Sequence, residues 1–525
     1  VSEAARIADV AGWLRTVLPA GAALSADSRS VTPGDAFFGY PGERSDGRRF
    51  VAQALERGAA ALVLESDGRE EASGPTTGVP VRRIAGLKRL AGPIADRYHG
   101  EPTAAQLVVA VTGTNGKTSC SQWIAQGLHA AGRRAAVVGT LGAGLLADGA
   151  RGVAGELEDT GLTTPDALAL QALFARFRAR GVDAVAIEAS SIGLDQHRLD
   201  GTRIAVAVFT NLTRDHLDYH GTMQAYGQAK ARLFGWPGLR AAVVNLDDPA
   251  HAAMLAEVAP GALRIGYRVD PDDGRVGGSP PCERGAGAVD RHLAARVTST
   301  AQGMHLAVDG DWGAASLELP LLGRFNASNL LAVLGAWLAL GLPFDEAVGR
   351  LRGLRPVPGR LQPVSAPDPA RAPLAVVDYA HTPDALASAL DALRPVARAR
   401  GGRLWCVFGA GGDRDPGKRP LMGAVAQRGA DRVVLTSDNP RGESPEAILD
   451  AIEAGLGAPA FRREADRARA IADTLAQADA IDVVLIAGKG HEPYQEVAGV
   501  RHPFVDVEHA ARALARRASV EAEGA

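Results

Sequence analysis

A chain of 525 residues has room for roughly three or four domains, and 46% hydrophobic with 22% charged residues suits a globular protein with sizeable cores. A formal net charge of -3 argues against nucleic acid or a polybasic membrane patch as the main partner, while charged metabolites need only local basic sites. Cys120, Cys282 and Cys406 are too scattered for a disulfide framework or a zinc site, which predicts a reducing, cytoplasmic setting.

In chain order, the opening "VSEAARIADVAGWL" carries acids where a secretory signal would be basic, and no stretch approaches a membrane span. A smaller first region ends at "YHGEPTAAQ" (Tyr98–Gln106). Beyond it, apolar β-type runs alternate with amphipathic helical runs, the pattern of parallel α/β sheets. "LVVAVTG" (Leu107–Gly113) precedes a helical "SCSQWIAQGLHAAG", and "AAVVGT", "DAVAIEAS", "IAVAVFTNLT" and "AAVVNLDD" continue the alternation. The stretch Asp270–Gly287, rich in Gly, Pro and charge, reads as an exposed loop. "LRPVPGRLQPV" (Leu354–Val364) then separates a second series: "LAVVDYAH", "RLWCVFGAGGD", "RVVLTSD" and "DVVLIAGKG".

The strongest chemical signal is "VAVTGTNGKTS" (Val109–Ser119). An apolar strand runs through Gly113, Thr114, Asn115 and Gly116 into a helix, so backbone N–H groups and the helix N-terminus can face phosphate oxygens. Lys117 would reach the terminal phosphates and the Thr118 hydroxyl would suit Mg²⁺, with Ser119 beside it. The usual spacing wants another glycine where Val111 stands. Nucleotide binding follows; the reaction does not.

Polar residues also appear where later buried strands should end. "AVAIEASSIGLDQHR" supplies Glu188, Ser190, Gln196 and Arg198, and "AVFTNLTRDHLDYHG" supplies Asn211, Asp215 and His216. Ligands in open α/β sheets bind outside strand carboxyl ends, so both sets have a common crevice open to them. A carboxylate and an imidazole there suit Mg²⁺, with Mn²⁺ an acceptable substitute. The plainer alternatives are Glu188 as neighbour of a helix cap and His216 as a surface turn residue. Lys230 in "AYGQAKARLF" reads from composition alone as a solvated lysine. In "VVLTSDNPRGESP", Asp438, Asn439 and Pro440 suit a turn, but Arg441 has no role in one.

The series "GTNGKT", "TTPD", "EASSIGLDQHR", "TNLTRDHLDYHG", "AYGQAK", "GRFNASN", "DYAHTPD", "GAGGDRDPGKRP", "SDNPR" and "GKGHE" resembles the Mur ligase family, the ATP-dependent amino-acid ligases that build the peptidoglycan stem peptide. The family's loop is written GTNGKT, which accounts for Val111. The resemblance implies an α/β protein of three domains: a smaller UDP-sugar-binding domain over 1–102, a central P-loop ATPase domain with a mostly parallel sheet over 103–354, and a Rossmann-like amino-acid-binding domain over 355–525. Lys230 then matches a carbamylated lysine, and Glu188 and His216 match metal-associated positions. Asn326, Arg360, Asp378 and His381 match ATP-contacting positions. Ser28 and the loop of Glu43, Arg44 and Ser45 (HQA in relatives) fall near the uridine and pyrophosphate, while Thr163, Thr164, Ser190, Gln196 and Arg198 fall near the sugar and peptide arm.

Within the family the resemblance is to the branch that adds 2,6-diaminopimelate. That amino acid is a lysine with a second carboxylate at its far carbon, and a planar guanidinium binds a carboxylate bidentately. Arg441 of "DNPR" matches that reader, with Arg414, Asp438, Asn439, Pro440, Gly488 and Glu492 as the remaining contacts. The implied partners are ATP, the UDP-N-acetylmuramoyl dipeptide and meso-diaminopimelate, handled by a monomer in the cytoplasm that closes its domains over them. A lysine-adding ligase, a folylpolyglutamate-type synthetase and a non-catalytic nucleotide-binding regulator stay open as alternatives.

Overall fold

The computed structural model describes residues 2–43, 45–66, 78–146, 157–270, 288–458 and 462–523. The expected loop at 270–287, with Cys282, lies almost wholly outside them, as does Arg44. Cys120 and Cys406 are free and buried. The chain forms two compact units. One holds the residues up to Arg268 together with Leu331–Arg350, and the other holds Ala294–Leu330 and Leu351 onward.

The first unit begins with the helix Glu3–Val17 and four parallel strands in the order β1 (Leu24–Ser25), β2 (Ala36–Gly39), β3 (Ala61–Glu65), β4 (Val81–Ile84). The helix Leu87–Tyr98 follows, and its Gly92 meets the turn at Gly201 so closely that a Cβ on either glycine would run into the other segment's backbone. That contact explains why the N-terminal residues group with the sheet that comes next.

That sheet is built from β5 (Leu107–Thr112), β6 (Ala135–Gly139), β7 (Gly142–Leu145), β8 (Ala184–Glu188), β9 (Ile204–Phe209), β10 (Ala241–Asn245) and β11 (Leu263–Val269). Their order is β11-β10-β9-β5-β8-β6-β7, parallel except for the β6–β7 pair. Strands β6, β8, β9 and β10 are buried at every residue, as expected when helices cover both faces. The chain leaves β5 toward β6 on one side, and later passes from β8 to β9 across β5, so the carboxyl end of β5 is a topological switch point. The helix Lys117–Ala130 that follows β5 is enclosed over most of its surface. Its Gly127 lies against the Trp337 indole, where a Cβ would overlap the ring, and Trp337 Nε1 donates to the Ile124 carbonyl at 3.2 Å.

Strand β12 (Arg291–Thr300) leads to an antiparallel hairpin of β13 (Gly303–Gly310) and β14 (Gly313–Leu319). The sequence reading placed no element there, because the alternating exposure of these strands breaks the parallel-sheet pattern it followed. The second unit's main sheet has β15 (Gln362–Pro363), β16 (Leu374–Asp378), β17 (Leu404–Phe408), β18 (Arg432–Leu435), β19 (Arg462–Arg463) and β20 (Val483–Ala487) in the order β15-β16-β20-β17-β18-β19. Only the β15–β16 pair is antiparallel. A small hairpin, β21 (Tyr494–Val497) with β22 (Val500–Pro503), follows. Among the described residues no helix is long and apolar enough to cross a membrane.

Candidate active site

Strand β5 hands over to a loop that only glycine can make. Gly113 has φ +148° and Gly116 φ +87°, and a side chain at 113 would overlap the Thr210 hydroxyl. The end of β9 braces this loop: Asn115 N donates to Asn211 Oδ1 at 2.9 Å, and Asn211 Nδ2 and Thr210 Oγ1 donate to the Asn115 carbonyl at 3.2 and 2.6 Å. Asn211 thus serves as scaffold for the loop. Ser119 is 5% exposed within the helix behind it.

Two lysines converge on one carbonyl. Lys117 Nζ donates to Gly113 O and Thr114 O, each at 2.8 Å, and Lys230 Nζ donates to Gly113 O at 2.8 Å. The reading of Lys230 as a solvated lysine is overturned, since it is 1% exposed and its amine stands 4.3 Å over the Tyr226 ring. Burial, and then the charge of Lys117, hold that amine well below the usual lysine range, with Asp215 acting in the opposite sense. Tyr226 ties the group together, its hydroxyl 3.1 Å from Thr114 Oγ1 and its ring edge-on to His216 at 6.1 Å. His216 itself caps the short helix Leu217–His220 in left-handed geometry, φ +50°, 3.5 Å from Asp215.

Glu188 closes β8 and is 1% exposed. Its carboxylate accepts from Thr118 Oγ1 at 3.1 Å, from Thr140 N at 2.9 Å and from Thr140 Oγ1 at 3.1 Å. Gly139 makes room for it, because a Cβ there would overlap the carboxylate. Thr163 stands 3.1 Å from the Thr140 hydroxyl. Thr164 donates its hydroxyl to the Glu188 carbonyl at 2.7 Å and lies 3.0 Å from Ser190 Oγ, and Ser190 caps the next helix by accepting from Gly193 N. Arg198 donates to Thr164 O at 2.9 Å and to Gln196 Oε1 at 2.6 Å, and Gln196 donates to Tyr219 at 3.2 Å. The residues expected around the sugar and peptide arm therefore form one hydrogen-bonded run beside the loop. Thr140, Tyr219 and Tyr226 lie inside stretches that the sequence reading quoted, but it named none of them, because a threonine or tyrosine there carries no charge to mark it as a ligand. Among the described residues no group of three or more His, Cys, Asp or Glu side chains forms a ready metal site.

In the N-terminal sheet, Ser28 follows β1 and donates to Gln53 Oε1 at 2.6 Å. Glu43 accepts from Lys88 at 3.1 Å, and the Ser45 carbonyl accepts from Gly42 N at 2.9 Å.

In the second unit, most of the expected residues stand at the carboxyl ends of β16, β17, β18 and β20, while Arg360 precedes β15 and Asn326 lies in the helix Arg324–Ala339. Asp378 accepts from Leu361 N at 2.7 Å and Ala380 N at 2.9 Å, and burial raises its carboxyl above the usual range. Arg360 lies 5.1 Å over the Tyr379 ring, while His381 packs edge-on to that ring and donates from Nδ1 to the Tyr379 carbonyl at 2.8 Å. Asn326, 3% exposed, donates to Leu322 O at 2.8 Å and accepts from Asn329 at 3.0 Å.

Arg441 takes left-handed geometry, φ +53°, in a bridge to Val497. Its N–H donates to Glu496 O at 2.9 Å, and Nη1 donates to Gly412 O at 2.7 Å. A Cβ on Gly411 would stand 3.0 Å from Arg441 Nη1 and 3.7 Å from Arg414 Cγ, so the two arginines flank one glycine. Beside them, Asn439 Nδ2 donates to Glu492 Oε2 at 2.7 Å, and Lys489 Nζ donates to Asn439 Oδ1 at 3.1 Å and lies 3.3 Å from Glu492. Gly488, φ +116°, has room for no Cβ, which would stand 2.5 Å from Asp438 Oδ2. Pro440 continues this turn, buried with Asp438 and Asn439. Lys489 and Arg467, both enclosed here, were not expected.

Three family models match the chain: Mur ligase family, catalytic domain, over residues 22–94; Mur ligase middle domain over 111–337; and Mur ligase, glutamate ligase domain over 359–490. A protein of Ralstonia nicotianae named UDP-N-acetylmuramoyl-L-alanyl-D-glutamate--2,6-diaminopimelate ligase is 50% identical over 521 residues, 98% of this chain and 97% of that one. One of the same name from Pseudomonas aeruginosa is 47% identical over 493 residues, 94% of each chain. A solved structure described by that name aligns with TM-score 0.67 at 36% identity, over 96% of this chain and 95% of that one.

Proposed function

Because the chain belongs to the Mur ligase family, we propose that it joins meso-2,6-diaminopimelate to the D-glutamate γ-carboxylate of UDP-N-acetylmuramoyl-L-Ala-D-Glu, with ATP converted to ADP and phosphate, in peptidoglycan synthesis. The γ-carboxylate attacks the γ-phosphorus of ATP and ADP leaves. The neutral amine of diaminopimelate then attacks the acyl phosphate carbon, phosphate leaves, and the amine gives up a proton as the amide forms. A cytoplasmic setting, and domain divisions near 102/103 and 354/355, belong to the same reading.

Apart from Arg44, which lies outside the described residues, the roles fall on residues whose surroundings are given above. Lys117 and the amides at the start of its helix bind the phosphates and offset the charge that builds on the transferred group. Asn326, Arg360, Asp378 and His381 are assigned to the same nucleotide; Ser28, Glu43, Arg44 and Ser45 to the uridine end; Thr163, Thr164, Ser190, Gln196 and Arg198 to the sugar and peptide arm. The buried, low-pKa amine of Lys230 is neutral more often than an exposed one, so it can add to carbon dioxide, forming an N–C bond and releasing a proton. The hard oxygens of Thr118 and Glu188, 3.1 Å apart, fit Mg²⁺, and they, His216 and the carbamate of Lys230 would hold it. Mg²⁺ supplies positive charge against phosphate oxygens, and Mn²⁺ has the same ligand preference.

The observation that carries the choice of amino acid is the pair Arg441 and Arg414 around Gly411, beside the Glu492–Asn439 contact. Guanidinium groups suit a carboxylate, and Glu492 suits an ammonium, as the far end of diaminopimelate requires. The test is phosphate release with ATP, Mg²⁺ and the UDP-dipeptide, comparing meso-diaminopimelate with L-lysine. Turnover is expected with diaminopimelate alone, and Arg441→Ala is expected to lower its kcat/KM by about 2–5 kcal/mol of lost interaction. Equal turnover with lysine would leave a ligase and remove this account of the arginines.

A further inference from the structure

The helix Arg467–Gln477 opens with a guanidinium to which the chemistry above gives no task. Arg467 and Asp506 have no exposed side-chain surface, and they pair in bidentate fashion: Nε donates to Oδ1 and Nη2 to Oδ2, each at 2.7 Å. Were that all, the pair would be a buried strut. The remaining protons go elsewhere: Nη1 donates to the Ser437 carbonyl at 3.2 Å and Nη2 also to the Ala487 carbonyl at 3.0 Å.

Those two carbonyls immediately precede Asp438 and Gly488, the first residues of the two loops assigned to the amino acid. The strands that carry the loops, β18 and β20, are not neighbours, because β17 lies between them. Their ladders with β17 end at Leu435 and Ile486, so neither ladder fixes Ser437 against Ala487. A single guanidinium reaches past the end of the intervening strand and holds both. On their far side the fit is tight, with Asn439 donating to Glu492 at 2.7 Å and no room for a Cβ between Gly488 and Asp438. Burial raises the Asp438 carboxyl, and the Arg467 charge is first among the groups that oppose this.

We propose that Arg467 is a positioning residue for the amino-acid site, setting the distance between Asn439 and Glu492 by clamping the Ser437 and Ala487 carbonyls. It rests on the reading of those loops given under the proposed function. Lysine, a point charge without the planar fork, cannot hold the carboxylate and both carbonyls in this geometry.

Two variants of the full chain test it. Arg467→Met with Asp506→Leu removes both charges together, a change that buried pairs often tolerate, and Arg467→Lys keeps the charge. Phosphate release is measured while each of the three substrates is varied. The expected result is a KM for diaminopimelate raised about tenfold or more, as a misplacement of order 1 Å implies, with KM for ATP and the UDP-dipeptide unchanged. An unchanged KM for diaminopimelate, or an equal rise for all three substrates, would overturn the proposal. If the double variant does not fold, Arg467→Lys decides by the same comparison. If wild-type chain shows no diaminopimelate-dependent release, the parent reading falls and takes this one with it.

Discussion

The loops after β5 and after β18 look alike in outline, each a glycine-bearing turn at the carboxyl end of a buried parallel strand, yet they handle charge in opposite ways. After β5, two lysine amines are held by the Gly113 carbonyl, a neutral dipole. Around the loop after β18, Lys489 from the loop after β20 is held against the Glu492 carboxylate, and Arg467 from the helix after β19 is held against Asp506. A carbonyl compensates a buried cation less well than a carboxylate does, so the first loop is primed for a polyanion, as a triphosphate would be. The second is close to balanced, which suits a ligand carrying both signs. One architecture serves both because the sheet supplies only the place, and the side chains supply the electrostatics.

The sharpest way to break this contrast is to unbalance the second loop. Asp506→Ala leaves Arg467 buried without its carboxylate and is expected to cost about 3–5 kcal/mol of stability, read by urea denaturation. In the first loop, removing a cation should spare the fold and damage the chemistry. Lys117→Met is expected to lower kcat for phosphate release by about 10²–10³-fold, with an unchanged circular dichroism spectrum. Gly113→Ala puts a Cβ into the Thr210 hydroxyl at φ +148°, and overpacking of this kind typically costs about 1–3 kcal/mol. A lower thermal midpoint together with weaker ATP binding by calorimetry would check it.

The smallest effect lies away from both loops and isolates burial from pairing. Asp96 is pushed up to about 6, chiefly by burial and then by Glu101. Its carboxyl binds its proton more tightly in the folded chain than in the unfolded one, where the value is about 3.9. Its contribution is therefore full below that value and is lost as pH rises through about 6. Asp96→Asn should be more stable than wild type above that pH by about 1 kcal/mol once solvent screening is allowed for, with no difference at pH of about 3.5. Denaturation curves across that window decide it.

Much of this was readable beforehand, and the physical reason differs by residue. Each apolar run quoted for the two series forms a strand, and the polar residues that end those runs are the ones gathered at the strand ends, whereas the parallel strands β11 and β19, broken by arginines, were not read. The β12–β14 segment escaped because its strands alternate between buried and exposed positions. Lys230 was legible only through resemblance: burial of one lysine on a helix is a property of what packs over it, here Tyr226, and composition carries no trace of that. Arg467 and Asp506 stand far apart in sequence, and neither lies in a motif, so only the folded chain shows that they meet.

The bridge between Arg441 and Val497 has a thermodynamic consequence. Arg441 donates its N–H to Glu496 and accepts from Ala498 N at 2.7 Å, so the arginine's backbone is stitched on both sides to the β21–β22 hairpin. A residue so fixed has already given up its conformational entropy during folding, including the expense of a left-handed φ. Binding at this guanidinium should therefore carry a small ordering penalty and a favourable enthalpy. Cutting the stitches, by shortening the hairpin, would show up in calorimetry as lost entropy on binding before any contact to the ligand had changed.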